Sequence, residues 1–261
     1  MLFQGILNFC VTAYAYKESA ARSERDDLRM EFIYKFADKF AFEFERTFII
    51  GNRWKMFLNG MEVTLFLSLF SVLLGLALGM LLAFGKLSKI KPLRWLCNTY
   101  VDIIRGTPTM VQILIIYFVI FASVNIDRRI VAIIAFGINS SAYVAEIIRG
   151  GILSVSKGQT EAGRSLGLNA VQTMIHIILP QAVKNILPAL GNEFIVLVKE
   201  TAVIGYVAKI DLTAAATSIQ AKTYSYTMPL ISVAVMYYVI IKILTILLNK
   251  LEKRLRISDA R

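Results

Sequence analysis

The 261-residue chain is 57% hydrophobic with a formal charge of +11 and a mean hydropathy of +0.62, which excludes an ordinary soluble domain and leaves a lipid-facing protein. Its basic residues fall between and after long apolar runs, so they speak for anionic headgroups of membrane lipid and against nucleic acid. Cys10 and Cys97 have neither paired spacing nor a histidine cluster nearby, so both read as packing residues, with no disulfide framework and no metal site.

Residues 1–55 read as an N-terminal extension. Residues 2–16 are apolar but too short to span a bilayer, which suits an interfacial helix or the apolar part of a signal peptide, and residues 17–27 are dense in mixed charge. Met30 offers a second translation start. Phe32, Phe36, Phe40 and Phe44 recur every fourth residue and predict a helix with one aromatic stripe, suited to the outer-facing interface of the bilayer.

From residue 56 to residue 254 the pattern changes to that of an all-α membrane protein with a five-helix transmembrane core. A membrane helix needs about 20 mostly apolar residues, and the stretches that qualify are 61–84, 103–124, 130–148, 182–207 and 228–249. Gly75 and Gly79 in the first have the spacing that admits a neighbouring helix. The second is interrupted early by Arg105-Gly106-Thr107-Pro108. Lys86, Lys89, Lys91 and Arg94 mark the first connection as cytoplasmic, whereas the second holds only Arg128 and Arg129. Arg149, Lys157, Arg164 and Lys184, and then Lys250, Lys253, Arg254 and Arg256, assign the loop 150–181 and the tail 255–261 to the inside. The expected orientation is therefore N-terminus outside and C-terminus cytoplasmic.

The loop 150–181 is too polar to span and reads as a short helix, a glycine-permitted turn, a second short helix and a proline stop. Glu161-Ala162, Gly167, Ile177 and Leu179-Pro180 within it resemble the EAA loop of the permease subunits of type I ABC importers. Gly163 departs from that motif, which has a second alanine there. Arg105-Gly106-Thr107-Pro108-Thr109-Met110-Val111-Gln112, the run from Ala142 to Ile152, and Leu187-Pro188-Ala189-Leu190-Gly191-Asn192-Glu193-Phe194 with Lys199-Glu200-Thr201 are similar to the subfamily that carries polar amino acids. The resemblance extends over residues 60–254. It implies a coupling helix, with Glu161, Ala162, Gly163, Gly167 and Leu168 contacting an ATPase, and a substrate pocket that includes Met110, Gln112, Tyr143, Glu146, Asn192 and Thr201.

Charges inside a span cost roughly 2.5 to 3.5 kcal/mol near the bilayer centre on insertion scales, so each invites a role. Glu146 precedes Arg149 by one helical turn, and two readings stand side by side: a structural ion pair, or a carboxylate receiving a substrate ammonium group. For Asn192, Glu193, Lys199, Glu200 and Thr201, hydrogen bonding between helices stands beside substrate contact. Pro108 predicts a kink. His176, the only histidine, suits surface packing or an ATPase contact.

No G-x-x-x-x-G-K-[ST] loop occurs, so ATP and Mg are expected on a separate ATPase, and this chain is expected to be no enzyme and to hold no cofactor or metal. The resemblance implies two ABC ATPase subunits, a second permease subunit in a homodimer or heterodimer, an extracellular substrate-binding protein, an amino-acid substrate and a bacterial inner or plasma membrane location. The principal alternative is an ion-coupled secondary transporter, in which Glu146, Lys199 and Glu200 form a relay; no paired inverted repeat supports it.

Overall fold

The computed structural model describes residues 30–208 and 211–257, whose regular structure is entirely helical, and the chain divides into two compact units, residues 1–53 and 54–261. Cys10, the stretches 2–16 and 17–27, and the tail end 258–261 lie outside the described residues. In the first unit, helix α1 (residues 30–44) passes through a wide turn, Glu45–Ile49, into a tight one, Ile50–Asn52, where Gly51 adopts φ +65°. Phe36, Phe40 and Phe44 follow one another with ring centroids 6.4 Å apart, and Phe48 continues the row at 4.8 Å. The four-residue spacing thus produces one aromatic face, with Phe32 to Phe44 of that register exposed.

Among the described residues of the second unit, three helices are long and apolar enough to cross a membrane: α2 (Trp54–Leu87), α5 (Arg128–Leu153) and α11 (Thr227–Ile257). The pair α3 (Lys91–Gly106) and α4 (Thr109–Ile115, extended by a wide turn Ile116–Ile120) reaches the same length and hydropathy only together and is bent by 105° at its break, as a broken span or a re-entrant loop is. The sequence expectation of one span over 103–124 is corrected here: residues 103–106 close α3. An apolar count runs across the break, but the backbone cannot. The residue before a proline is driven out of the helical region and Pro108 donates no N–H, so Thr107 (φ −122°, ψ 149°) and Pro108 (φ −63°, ψ 131°) are extended.

Helix α8 (Leu179–Glu200) has 22 residues, long enough at about 1.5 Å per residue to cross a bilayer, though Lys184, Glu193, Lys199 and Glu200 lower its apolar content. A tight turn, Thr201–Val203, and the single turn α9 (Ile204–Val207) complete the expected fourth span. Pro180 lies in the first turn of α8 and does not stop the chain, contrary to the sequence expectation. It stands at the start of α8, directly after the wide turn Met174–Ile178, and the first turn of an α-helix is where a proline is tolerated.

The helices α2 and α5 meet along a seam of small residues. A Cβ placed on Gly75 would lie 2.9 Å from Cβ of Ser140, and one on Gly79 would lie 2.8 Å from the backbone oxygen of Ser141. Two apolar clusters flank this seam, one around Leu67, Ile113 and Phe136, the other around Ala83, Val144 and Ile178. Gly79→Leu is expected to destabilise the protein by about 1–3 kcal/mol, because a backbone oxygen cannot rotate away from the added carbons. A lower unfolding temperature of the purified variant in detergent would bear this out, and an unchanged one would contradict so close a crossing.

No sequence feature announced α10 (Leu212–Thr223), a largely buried helix of 12 residues. At about 18 Å it is shorter than the hydrocarbon core of about 30 Å. Asp211, 1% exposed, caps it by accepting the Ala214 N–H at 2.8 Å, and the Tyr237 hydroxyl donates to the other carboxylate oxygen at 3.3 Å. Thr64 accepts the Leu212 N–H at 3.2 Å, so α2, α10 and α11 share one polar node.

Candidate functional site

The break between α3 and α4 leaves carbonyls without helical partners, which inside a membrane protein must be satisfied by side chains. Thr107 donates its hydroxyl to the Ile103 carbonyl at 2.8 Å. The Gln112 amide donates to the Ile104 carbonyl at 2.7 Å, to the Thr107 carbonyl at 3.2 Å and to the Thr107 hydroxyl at 2.6 Å. Its oxygen accepts from the buried Asn139 amide of α5 at 2.8 Å. Gln112 therefore closes the elbow and fastens it to α5. One residue further on, Ser140 donates to the Glu193 carboxylate of α8 at 2.9 Å, so a polar seam joins α4, α5 and α8 within an apolar core.

Gln112→Leu is expected to cost about 1–3 kcal/mol, since it strands Asn139 and the Ile104 carbonyl. Adding Asn139→Leu should recover part of that loss by removing the stranded amide. Thermal unfolding of the single and double variants checks the order.

A second polar region is a cleft of about 410 Å³ lined by Lys86, Asn98, Asp102, Arg105, Glu146 and Arg149. Glu146 meets the Lys86 ammonium at 2.5 Å and the Arg149 guanidinium at 2.8 Å. The Arg105 guanidinium lies over the Tyr143 ring, 5.5 Å from its centroid.

The third region is an exposed two-helix knob. Helix α6 (Lys157–Ser165) is capped by the Ser156 hydroxyl, which accepts the Gly158 N–H. At its other end Gly167, at φ +85°, lets the Leu168 N–H reach the Gly163 carbonyl and its own N–H reach that of Arg164. Asn169 and Gln172 then form a reciprocal capping box that starts α7 (Ala170–Thr173). Gly163 is the buried residue of α6, and a Cβ there would stand 2.8 Å from both Ile177 and Thr173. The departure from alanine thus lets the two helices close on each other. Asn185 of α8 donates to Ser154 at 2.9 Å and Gln181 to the Ile177 carbonyl at 2.8 Å, bracing the base of the knob.

Residues 75–257 match the family of binding-protein-dependent transport system inner membrane components. The chain belongs to that family. This inner membrane component is 39% identical over 204 residues to the arginine transport system permease protein of Bacillus subtilis (strain 168), covering 77% of this chain and 93% of that protein. It is 40% identical over 203 residues to a putative glutamine transport system permease protein of Rickettsia typhi, with the same coverage. A crystal structure of an amino acid ABC transporter with histidines matches with a TM-score of 0.75 at 43% identity, over 78% of this chain and 96% of that one. A methionine ABC transporter in an inward-facing conformation shares the fold at a TM-score of 0.63 and 18% identity.

As an inner membrane component the chain is a multi-pass membrane protein of the ABC permease fold, and the family name calls for a binding protein as partner. The ion-coupled alternative finds no support in these relatives.

The inner membrane component distributes the residues named from its sequence over all three regions. Gln112 enters the seam, while Tyr143 and Glu146 border the charged cleft. Glu161, Ala162 and Gly167 are exposed on the knob and Leu168 is half-buried there. Met110 and Asn192 are exposed without joining those clusters, and the buried Thr201 hydroxyl donates to the Val198 carbonyl at 2.9 Å. Lys86, Asn139 and Ser140 were not named as site residues. Lys86 signalled only orientation, whereas Asn139 and Ser140 stood in plain view as polar residues within an apolar run.

Proposed function

We propose that this chain is the membrane-spanning permease of an ATP-driven importer that carries polar amino acids into the cell by alternating access. The observation that carries the reading is the knob. It is exposed, held by side-chain or backbone caps at every turn, and continuous with α5 on one side and α8 on the other, in a chain with no phosphate loop of its own. Such a projection transmits a push without absorbing it. Glu161, Ala162, Gly167 and Leu168 belong to the face that an ABC ATPase contacts, whereas Gly163, expected there from the sequence, is buried inside the knob against Thr173 and Ile177, and two such ATPases supply ATP and Mg.

The amino-acid substrate class follows the relatives named above, and the chain pairs with a second permease, itself or a homologue, around a shared route. An extracellular binding protein delivers the substrate. The knob and the C-terminus lie on the cytoplasmic side and the N-terminus outside, a reading that the Lys and Arg distribution supports. The seam from Gln112 and Asn139 to Ser140 and Glu193 fastens together the helices α4, α5 and α8 that border the route, with Met110, Tyr143, Asn192 and Thr201 as flanking positions. Glu146, already neutralised by two cations, is structural in this reading.

Uptake of a labelled amino-acid panel into proteoliposomes tests the proposal, with and without the cognate ATPase and binding protein. Uptake that requires both supports it. Gradient-driven uptake by this chain alone would overturn it.

A further inference from the structure

We infer that the charged cleft between α2, α3 and α5 is a product-side subsite for a free zwitterionic amino acid, with Asp102 holding the ammonium group and Arg105 the carboxylate. The inference rests on the importer reading, and it assigns the cleft a role that the import route does not require. Of the five charged residues around the cleft, three are committed to one another: Glu146 to Lys86 at 2.5 Å and to Arg149 at 2.8 Å. That leaves Asp102 and Arg105. Among the described residues Asp102 has no ion pair or side-chain hydrogen bond, and the Arg105 guanidinium, over the Tyr143 ring at 5.5 Å from its centroid, has no carboxylate partner within salt-bridge distance, so its donors remain for a ligand.

Asn98, Asp102 and Arg105 follow one another at intervals of four and three residues, so they lie along one face of α3, and all three line the cleft. A planar guanidinium takes a carboxylate through two parallel hydrogen bonds, and a carboxylate accepts an ammonium. One anion and one cation side by side are complementary to the two charges of an amino acid and ill-suited to a lone anion. Asn98 adds a neutral donor and acceptor. Lys86 and Arg149 sit in or near the last turns of α2 and α5, the ends that the basic residues assign to the cytoplasm, so the cleft faces the side of release.

A phosphatidylethanolamine headgroup carries the same pair of charges, so the experiment separates the two sources. The complete transporter is reconstituted into vesicles of phosphatidylcholine and phosphatidylglycerol, with ATP inside and the lumen either empty or loaded with arginine or glutamine, whichever is imported. The expected result is that luminal amino acid slows initial uptake and that Asp102→Asn weakens this effect by about tenfold or more, the loss of one charged partner. Uptake into empty vesicles by Asp102→Asn, an exposed and conservative change, stays near that of the parent.

Luminal amino acid without effect, or equal inhibition of parent and variant, overturns the inference while leaving the importer reading intact. So does inhibition that appears only when phosphatidylethanolamine is added, which would give the cleft to lipid. Equilibrium binding of the same labelled amino acid to the purified transporter without ATP supplies a readout independent of uptake, and a binding stoichiometry unchanged by Asp102→Asn also counts against the subsite.

Discussion

Glu146→Gln is expected to destabilise the protein more than any other single change at its polar sites, by about 2–5 kcal/mol. The substitution keeps the shape of the side chain and removes the one charge that answers two cations. Exposure decides which of those cations suffers. The Arg149 side chain is 36% exposed and can turn to water, whereas that of Lys86 is 9% exposed and is left as a nearly buried, unanswered ammonium. The double variant Lys86→Met/Glu146→Gln is therefore expected to recover much of the loss, and Arg149→Met alone should cost less than either single change at the buried pair. Thermal unfolding of the four proteins in one detergent gives the comparison. If Glu146→Gln unfolds at the parental temperature, the trio contributes nothing and the carboxylate becomes available for substrate again.

Glu161→Lys is expected to reduce ATP-dependent uptake by about tenfold or more while leaving membrane insertion and ATP hydrolysis by the complex in place. Glu161 is exposed in the middle of α6, away from both caps, so the knob folds with either residue. What changes is the sign of the charge that the proposed ATPase contact would meet. Measuring hydrolysis and uptake on the same vesicles separates uncoupling from misassembly, because a misassembled complex loses both. Unchanged uptake would remove Glu161 from the contact. A second, structural control is Gly167→Val, which leaves the charge alone but strains a residue at φ +85° and should loosen the knob itself.

The two regions differ in how much of them could be read without coordinates. The knob was legible in outline, as two short helices about a glycine turn, although its caps, the burial of Gly163 and the place of Pro180 were not read. Its helix ends depend on contacts within about five residues: Ser156 on Gly158, Gly167 in the left-handed turn, Asn169 and Gln172 on each other. Interactions of that range are written in consecutive letters. The charged cleft was half legible. Arg149 lies one turn from Glu146 and its pairing was one of two readings, beside a substrate contact, but Lys86 comes from another helix and was seen only as a marker of orientation.

The elbow teaches the same lesson from a different direction. Pro108 announced a kink, yet its size, and the fact that Gln112 turns back to satisfy the freed carbonyls instead of standing open to a substrate, followed from where α5 places Asn139. The buried α10 was not anticipated at all, since twelve residues of modest hydropathy resemble any loop until Asp211 is seen to gather Ala214 and Tyr237 beside Thr64.

By itself, then, the sequence determined that this is a membrane protein, roughly where its apolar segments run, which ends carry the basic residues, and the helix–glycine turn–helix outline of the knob. These are properties of composition and of neighbours along the chain. The tertiary structure alone decided which polar side chain meets which: Lys86 with Glu146, Gln112 with Asn139, Ser140 with Glu193. Those pairings depend on the rotation and depth of one helix against another; between α2 and α5, where Lys86 meets Glu146, the glycine and serine seam sets both, and its close fit becomes visible only when the two helices are in place.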